Sequence, residues 1–232
     1  MTTKGTGRPE GGYRDAQGAP VPSVTEILGR YKNSTALIHW AAREGRSGMK
    51  YKKDEASGVG NAVHDAAEIT IHHGEQAGRI ILERLLDEDE IAQADRAYER
   101  WLEWFRKNSD VRWIETEVPY ISERFNFAGT MDALAKTQRG LWIYDWKTSK
   151  TIGFDYVLQM GAYGILIADY FGIFPDGATI VRADKSEKPY NGGIEELSLN
   201  QTERRWASKC FLRLRRALSD EELFLEHLGR TH

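Results

Sequence analysis

Apolar positions recur every three to four residues in some stretches of the chain and every second residue in others, and the changes of period divide it. From Asp89 to Lys107, the residues Ile91, Ala94, Tyr98, Trp101, Leu102 and Phe105 keep helical spacing with charges between them. This predicts an amphipathic helix whose aromatic stripe faces a core. Shorter helices are predicted before it. Ser23 and Glu26 form a capping box that opens a helix reaching Tyr31, and further helices are expected over 34–43, 60–73 and 75–86. The Gly-, Ser- and Lys-rich stretch 45–60 reads as a loop.

After residue 110 the period shortens. Val111 to Ile121, Phe127 to Lys136 and Leu141 to Lys147 are β-rich and separated by turn signals at 122–126 and 138–140, which predicts a three-stranded antiparallel meander. Phe154 to Phe171 is apolar nearly all round and reads as a buried helix, with Gly161, Ala162 and Gly164 allowing close approach to the sheet. Two more strands are expected over 178–184 and 194–199. A final amphipathic helix over 202–218 is expected to turn Trp206, Cys210, Leu214 and Ala217 or Leu218 inward and Arg205, Lys209, Arg213 and Arg216 outward. Residues 1–20, rich in Gly, Pro and charge, read as a flexible arm. The remainder, 21–232, reads as one domain, helical over 21–110 and sheet-bearing over 111–200.

Composition narrows the class. With 232 residues, 41% of them hydrophobic, the chain is long enough to bury roughly 70–75% of its unfolded surface. No apolar run approaches the roughly 18–20 residues of a membrane span, and the first residues lack the apolar stretch of a signal peptide. A soluble cytoplasmic protein with no membrane partner is expected. The single cysteine, Cys210, excludes an internal disulfide, a Cys-rich zinc site and a four-Cys iron–sulfur cluster. The net charge is −3 but unevenly placed: seven bases and one acid between Arg30 and Lys53, and six bases and one acid between Gln201 and Leu218. Such stretches are either solvated helix faces or surfaces for nucleic acid.

The chemistry concentrates around Tyr144-Asp145-Trp146-Lys147. Residues two apart on a strand share a face, so Asp145 and Lys147 project together and Trp146 lies opposite. An isolated pair of this kind is usually a sheet-edge salt bridge. Here, however, Gly129-Thr-Met-Asp132 lies one hairpin earlier, and the turn at 138–140 can bring Asp132 near Asp145. Two acids that close repel unless a cation lies between them, and a pair of carboxylates suits Mg²⁺ or Mn²⁺. Lys147 could then orient or help deprotonate an attacking water. His64 stands in the first turns of the 60–73 helix with Glu68 on the same face at i+4. Gln159 and Tyr163 share a face of the helix that follows the Asp-x-Lys strand.

In this order, Gly60-x-x-x-His64, Gly129-x-x-Asp132, Asp145-x-Lys147 and Gln159-x-x-x-Tyr163 resemble the motifs of the PD-(D/E)XK nuclease superfamily. The nearest likeness is to its RecB-like branch, with its phage, CRISPR-associated and mitochondrial genome-maintenance exonucleases. Val21-Pro-Ser-Val-Thr-Glu-Ile-Leu28 also looks like the start of phage and mitochondrial members. The resemblance implies an α/β fold with a restriction-endonuclease-like α-β-β-β-α-β core, extended here by N-terminal and C-terminal helices. It implies metal ligation by Asp132 and Asp145, helped by His64 and the Trp146 carbonyl, with Lys147 acting on the water. Gln159 and Tyr163 would position the DNA backbone or brace Lys147. Glu117 matches a frequently acidic position and is either a site residue or a plain strand-face charge, and Glu68 is a weaker candidate. The implied activity is Mg²⁺- or Mn²⁺-dependent hydrolysis of DNA, exonucleolytic on single strands or ends, in recombination or repair. The implied partners are DNA and a recombination or replication protein, in the host cytoplasm if the protein is phage-encoded. Relatives with four cluster-binding cysteines differ from this chain, so no iron–sulfur cluster is expected. The alternatives are a catalytically idle DNA-binding adaptor, or an endonuclease with the same chemistry.

Overall fold

Short local signals set the N-terminal architecture. In the computed structural model, which describes residue 9 and residues 11–31, 58–85 and 88–229, strands β1 (Tyr13–Arg14) and β2 (Pro20–Val21) pair antiparallel. Asp15 Oδ1 accepts from the N–H groups of Gln17 (2.9 Å) and Ala19 (2.8 Å), which closes the connecting turn. The described part of the expected arm is therefore a hairpin, and buried Tyr13 anchors it through a 2.8 Å hydrogen bond between its hydroxyl and Thr130 Oγ1. Helix α1 (Val24–Tyr31) opens on the expected capping box: Ser23 Oγ accepts from Glu26 N at 3.1 Å, and Glu26 Oε2 from Ser23 N at 2.7 Å. The helix expected over 34–43 and most of the first basic stretch lie outside the described residues. Helices α2 (Gly58–His73), α3 (Glu75–Leu85) and α4 (Glu88–Lys107) follow.

The middle of the chain forms one five-stranded sheet in the order β3-β4-β5-β6-β7. Strands β3 (Arg112–Ser122), β4 (Phe127–Thr137) and β5 (Gly140–Lys147) are the predicted meander. Helix α5 (Phe154–Phe171) then returns the chain so that β6 (Gly177–Ala183) pairs parallel with β5, a connection that needs a crossover of this kind. Strand β7 (Ile194–Asn200) adds an antiparallel edge, and α6 (Gln201–His227) starts on a capping box between Asn200 and Glu203. No helix among the described residues is long and apolar enough to cross a membrane.

Helices cover both faces of the sheet. On one face Val24, Ile27, Met131, Ile143, Leu158, Leu166, Ile180 and Phe211 form a buried cluster joining α1, α5 and α6 to the strands. On the other, α2 and α4 pack on Ala133, Tyr144, Trp146 and Val181. There the ring of Trp146 meets Trp101 at 5.6 Å and Trp104 at 5.3 Å between centroids. The aromatic stripe of α4 is thus core.

Two expectations about helix faces are corrected. On α6, Cys210 and Leu218 are buried and Arg205, Lys209, Arg213 and Arg216 are exposed as expected, but Trp206 is 53% exposed, and Arg204, Ala207, Ser208, Phe211 and Arg215 join the inward face. The apolar pattern misleads because Arg215 is buried by donating to the Asn126 carbonyl at 2.9 Å, and Arg204 fills the space left at Gly164. Gly161 does permit a close approach, but to α6 rather than to the sheet. A Cβ there would strike the Ala207–Ser208 backbone, and Ser208 Oγ donates to the Gly161 carbonyl at 2.7 Å.

Candidate active site

The site is built where two strands part. The β4–β5 ladder runs from Thr137 opposite Gly140 to Ala133 opposite Tyr144 and stops there. In continued register Asp132 would face Asp145. Instead, β5 stays with β6 as far as Lys147 opposite Arg182, and the Trp146 N–H donates to Asp132 Oδ2 at 2.5 Å. The two carboxylates consequently occupy the opening between the strands. Asp145 is wholly buried, and its oxygen is in ion-pair contact with the Lys147 ammonium. The ring of Trp146 lies in the opposite core.

Two further elements reach Asp132. Helix α2 brings His64, whose Nδ1 lies 3.3 Å from Asp132 Oδ1 and 3.9 Å from Glu117 Oε1. Strand β3 brings Glu117, the residue that would oppose Asp132 between the pairs Thr116–Ala133 and Val118–Met131. Glu117 has φ +47°, a left-handed backbone conformation costing a non-glycine residue about 1 kcal/mol or more. That rotation interrupts the β3–β4 ladder where the Glu117 carboxylate approaches His64 and Asp132. One ligand atom from each of His64, Glu117 and Asp132 falls in a group spanning at most 4.8 Å.

Charge and burial strain this group without a cation. Burial pushes the Asp145 carboxyl up to about 6, with Asp132 adding to the rise and Lys147 opposing it. Burial likewise lifts Glu117 to about 7 against the His64 hydrogen bond. Burial pulls His64 down, yet the Asp132 charge and hydrogen bonds to Asp132 and Glu117 prevail and hold it near 10. Burial would raise Asp132, but His64, Lys147 and the Trp146 N–H keep it below the usual carboxylate range. Lys147 is held above the ordinary lysine range because Asp145 and Asp132 outweigh its own burial. A proton on His64 and the Lys147 ammonium are what balance three clustered carboxylates.

The donor set fits a hard divalent ion. Carboxylates and one imidazole are suitable ligands. Apart from the Lys147 contact, neither buried oxygen of Asp145 accepts a hydrogen bond among the described residues, so lone pairs remain available. Glu68 is placed differently: it accepts from Thr116 Oγ1 at 3.4 Å and stands outside the His64–Glu117–Asp132 group. On α5, Gln159 Nε2 donates to the Tyr163 hydroxyl at 2.6 Å. Burial, then the charges of Asp145 and Asp132, raise the Tyr163 phenol, which places it beside the carboxylates.

Sequence reasoning passed over Tyr156, whose ring lies 5.1 Å from Lys147 Nζ. Its signal was the spacing Tyr156, Gln159, Tyr163, one face of a helix. Thr130 was also passed over. It shares a strand face with Asp132 and holds Tyr13.

A family model described as the PD-(D/E)XK nuclease superfamily matches residues 36–227. Among solved structures, the chain is similar to a proposed exonuclease from Eubacterium rectale, at 14% identity over 91% of this chain and 83% of that one, with a TM-score of 0.52. An alkaline exonuclease from Laribacter hongkongensis matches at 12% identity over 72% of this chain and 90% of that one, with a TM-score of 0.38. The first of these, at 14% identity, is a likeness of fold. No curated protein matches the chain.

Proposed function

The chain belongs to the PD-(D/E)XK nuclease superfamily, and from that premise we propose that it is a metal-dependent deoxyribonuclease that removes nucleotides from single-stranded DNA or frayed ends during recombination or repair. The observation that carries this reading is the gathering of His64, Glu117 and Asp132 within 4.8 Å, beside the buried Asp145–Lys147 pair. Asp132 and Asp145, with His64, the Trp146 carbonyl and Glu117, would hold the ion, for which Mg²⁺ or Mn²⁺ is proposed. When bound, it supplies Lewis acidity toward water and the scissile phosphate.

The chain's own residues do the rest. Lys147, raised in pKa and 14% exposed, keeps its proton and presents positive charge at the mouth of the carboxylate group, where it orients an attacking water and steadies phosphate charge. Asp145 holds that ammonium in place. Gln159 and Tyr163 bind each other and brace the Lys147 side against α5. The test is incubation of end-labelled single-stranded and duplex DNA with Mg²⁺, with Mn²⁺ and with EDTA, followed by product lengths. Mononucleotides or short products appearing only with metal are expected; binding without cleavage in either metal would leave a DNA-binding adaptor instead.

A further inference from the structure

Outside the carboxyl ends of the parallel strands β5 and β6 lies a cavity of about 590 Å³, lined by Gln93, Arg96, Lys150, Lys185 and Ser186. We propose that this cavity is a phosphate-binding subsite separate from the carboxylate group, holding a phosphate of the bound strand away from the bond that is cut. The inference rests on the nuclease reading, whose substrate supplies the phosphate.

The lining is basic and tied in place. Three cationic side chains line the cavity, and no carboxylate is among its described lining residues. Asp184, next to Lys185 in the chain, is engaged elsewhere: its Oδ1 accepts from Ser186 N at 2.8 Å, and its Oδ2 pairs with Arg182 Nη1 at 3.2 Å. The loop after β6 is fixed to α4, because Arg96 Nε donates to the Lys185 carbonyl at 3.0 Å and Arg100 Nη1 to the Ser186 carbonyl at 3.0 Å. The loop is therefore preorganised, which spares a ligand the cost of ordering it. A tetrahedral anion suits such a lining, since ammonium and guanidinium groups give charge-assisted hydrogen bonds to phosphate oxygens.

The cavity's position relates it to the chemistry. Lys150 follows Lys147 by three residues, so their Cα atoms are at most about 11 Å apart. Arg182, opposite Lys147 in the ladder, lies one residue before the end of β6, after which the loop carries Lys185. A strand whose scissile phosphate lies at Lys147 can thus present a phosphate a few nucleotides away to this cavity.

The experiment uses fluorescein-labelled single-stranded oligonucleotides and anisotropy in EDTA, where no cleavage occurs, over 50–200 mM salt. Exposed Lys150 is changed in Lys150→Glu and restored in charge in Lys150→Arg. Lys107→Glu, at the other end of α4 and about 16 Å from Arg96 along the helix, matches the change in net charge. Lys150→Glu should weaken binding about tenfold and reduce the slope of log K against log salt by about one, with Lys150→Arg near wild type. Equal losses in Lys150→Glu and Lys107→Glu, or no loss in either, would overturn the proposal. Oligonucleotides with and without terminal phosphates identify the source: a loss independent of the ends marks an internal phosphodiester, and one confined to a phosphorylated end marks a terminal phosphate. A parallel cleavage assay in Mg²⁺ separates the two readings. Cleavage with no dependence on Lys150 rejects the subsite alone, and Lys150-dependent binding with no cleavage rejects the nuclease alone.

Discussion

The main-chain N–H of Trp146 donates to Asp132 Oδ2 at the position where β4 and β5 stop pairing. A strand-to-strand hydrogen bond is thereby exchanged for a bond to a carboxylate. The Trp146 ring, packed against Trp101 and Trp104 on the opposite face, anchors the main chain that makes it. Aromatic packing on one face of the sheet thus positions an acid on the other. Truncation of Trp101 should cost about 3–5 kcal/mol of stability.

Asp145→Asn should abolish metal-dependent cleavage while leaving the thermal midpoint in EDTA unchanged or higher. Burial raises the Asp145 carboxyl to about 6. Between roughly pH 4 and 6 the folded state therefore keeps a proton that the unfolded chain releases, and stability falls as pH rises through that window. Asparagine removes the ionisation, so the variant's midpoint should be flatter over the same range. Full cleavage by this variant in Mg²⁺ would remove Asp145 from the site.

Lys147→Ala should bind DNA and metal but turn over roughly 10²–10⁴ times more slowly, the range typical of a positioned acid–base or electrostatic group. Lysine serves the water and the phosphate, not the ion. Loss of metal affinity by calorimetry would contradict that division.

Glu117 separates strain from ligation. Its φ of +47° suits glycine, so Glu117→Gly should relax the backbone and hold or raise the thermal midpoint. It also removes a carboxylate from the group with His64 and Asp132, and metal affinity should fall. Unchanged metal affinity together with full cleavage would reduce Glu117 to a strand-face charge.

What could be read beforehand follows from which contacts are local. Period-two alternation alone puts Asp145 and Lys147 on one face, and an apolar run too long for a strand delimits α5 at Phe154–Phe171. The capping box at Ser23 and Glu26 involves residues three apart, and it is equally legible. The parting of β4 from β5 is not, because it depends on β6 and on tryptophans from α4, far away in the chain. The left-handed turn at Glu117 leaves no mark either, since Glu is an ordinary strand-surface residue and no glycine signals the conformation. On α6 the apolar pattern fails because Arg204 and Arg215 are buried while Trp206 is not. Arg215 is held by the Asn126 carbonyl and Arg204 lies over the Phe174 ring, contacts that a one-dimensional pattern does not contain.

The depth of the site bears on whether ends are required. Asp145 is fully buried, and the side chains of Asp132, Lys147 and Glu117 are 8%, 14% and 16% exposed. His64 on α2 and the Gln159–Tyr163 pair on α5 flank them from two directions. On this arrangement a scissile phosphate would reach the carboxylates between α2 and α5. A free single-stranded end can enter without bending, whereas a closed circle must double back and force two strands into the same recess, and a stacked duplex is wider still. Linear single-stranded DNA should accordingly be shortened from an end, with circular single-stranded DNA of the same sequence spared and duplex attacked only where its ends fray. The comparison is made by gel on linear and circular forms in Mg²⁺. Circles opened as fast as linear strands are lost would mean that the recess admits an internal segment, and the enzyme would then be an endonuclease with the same chemistry.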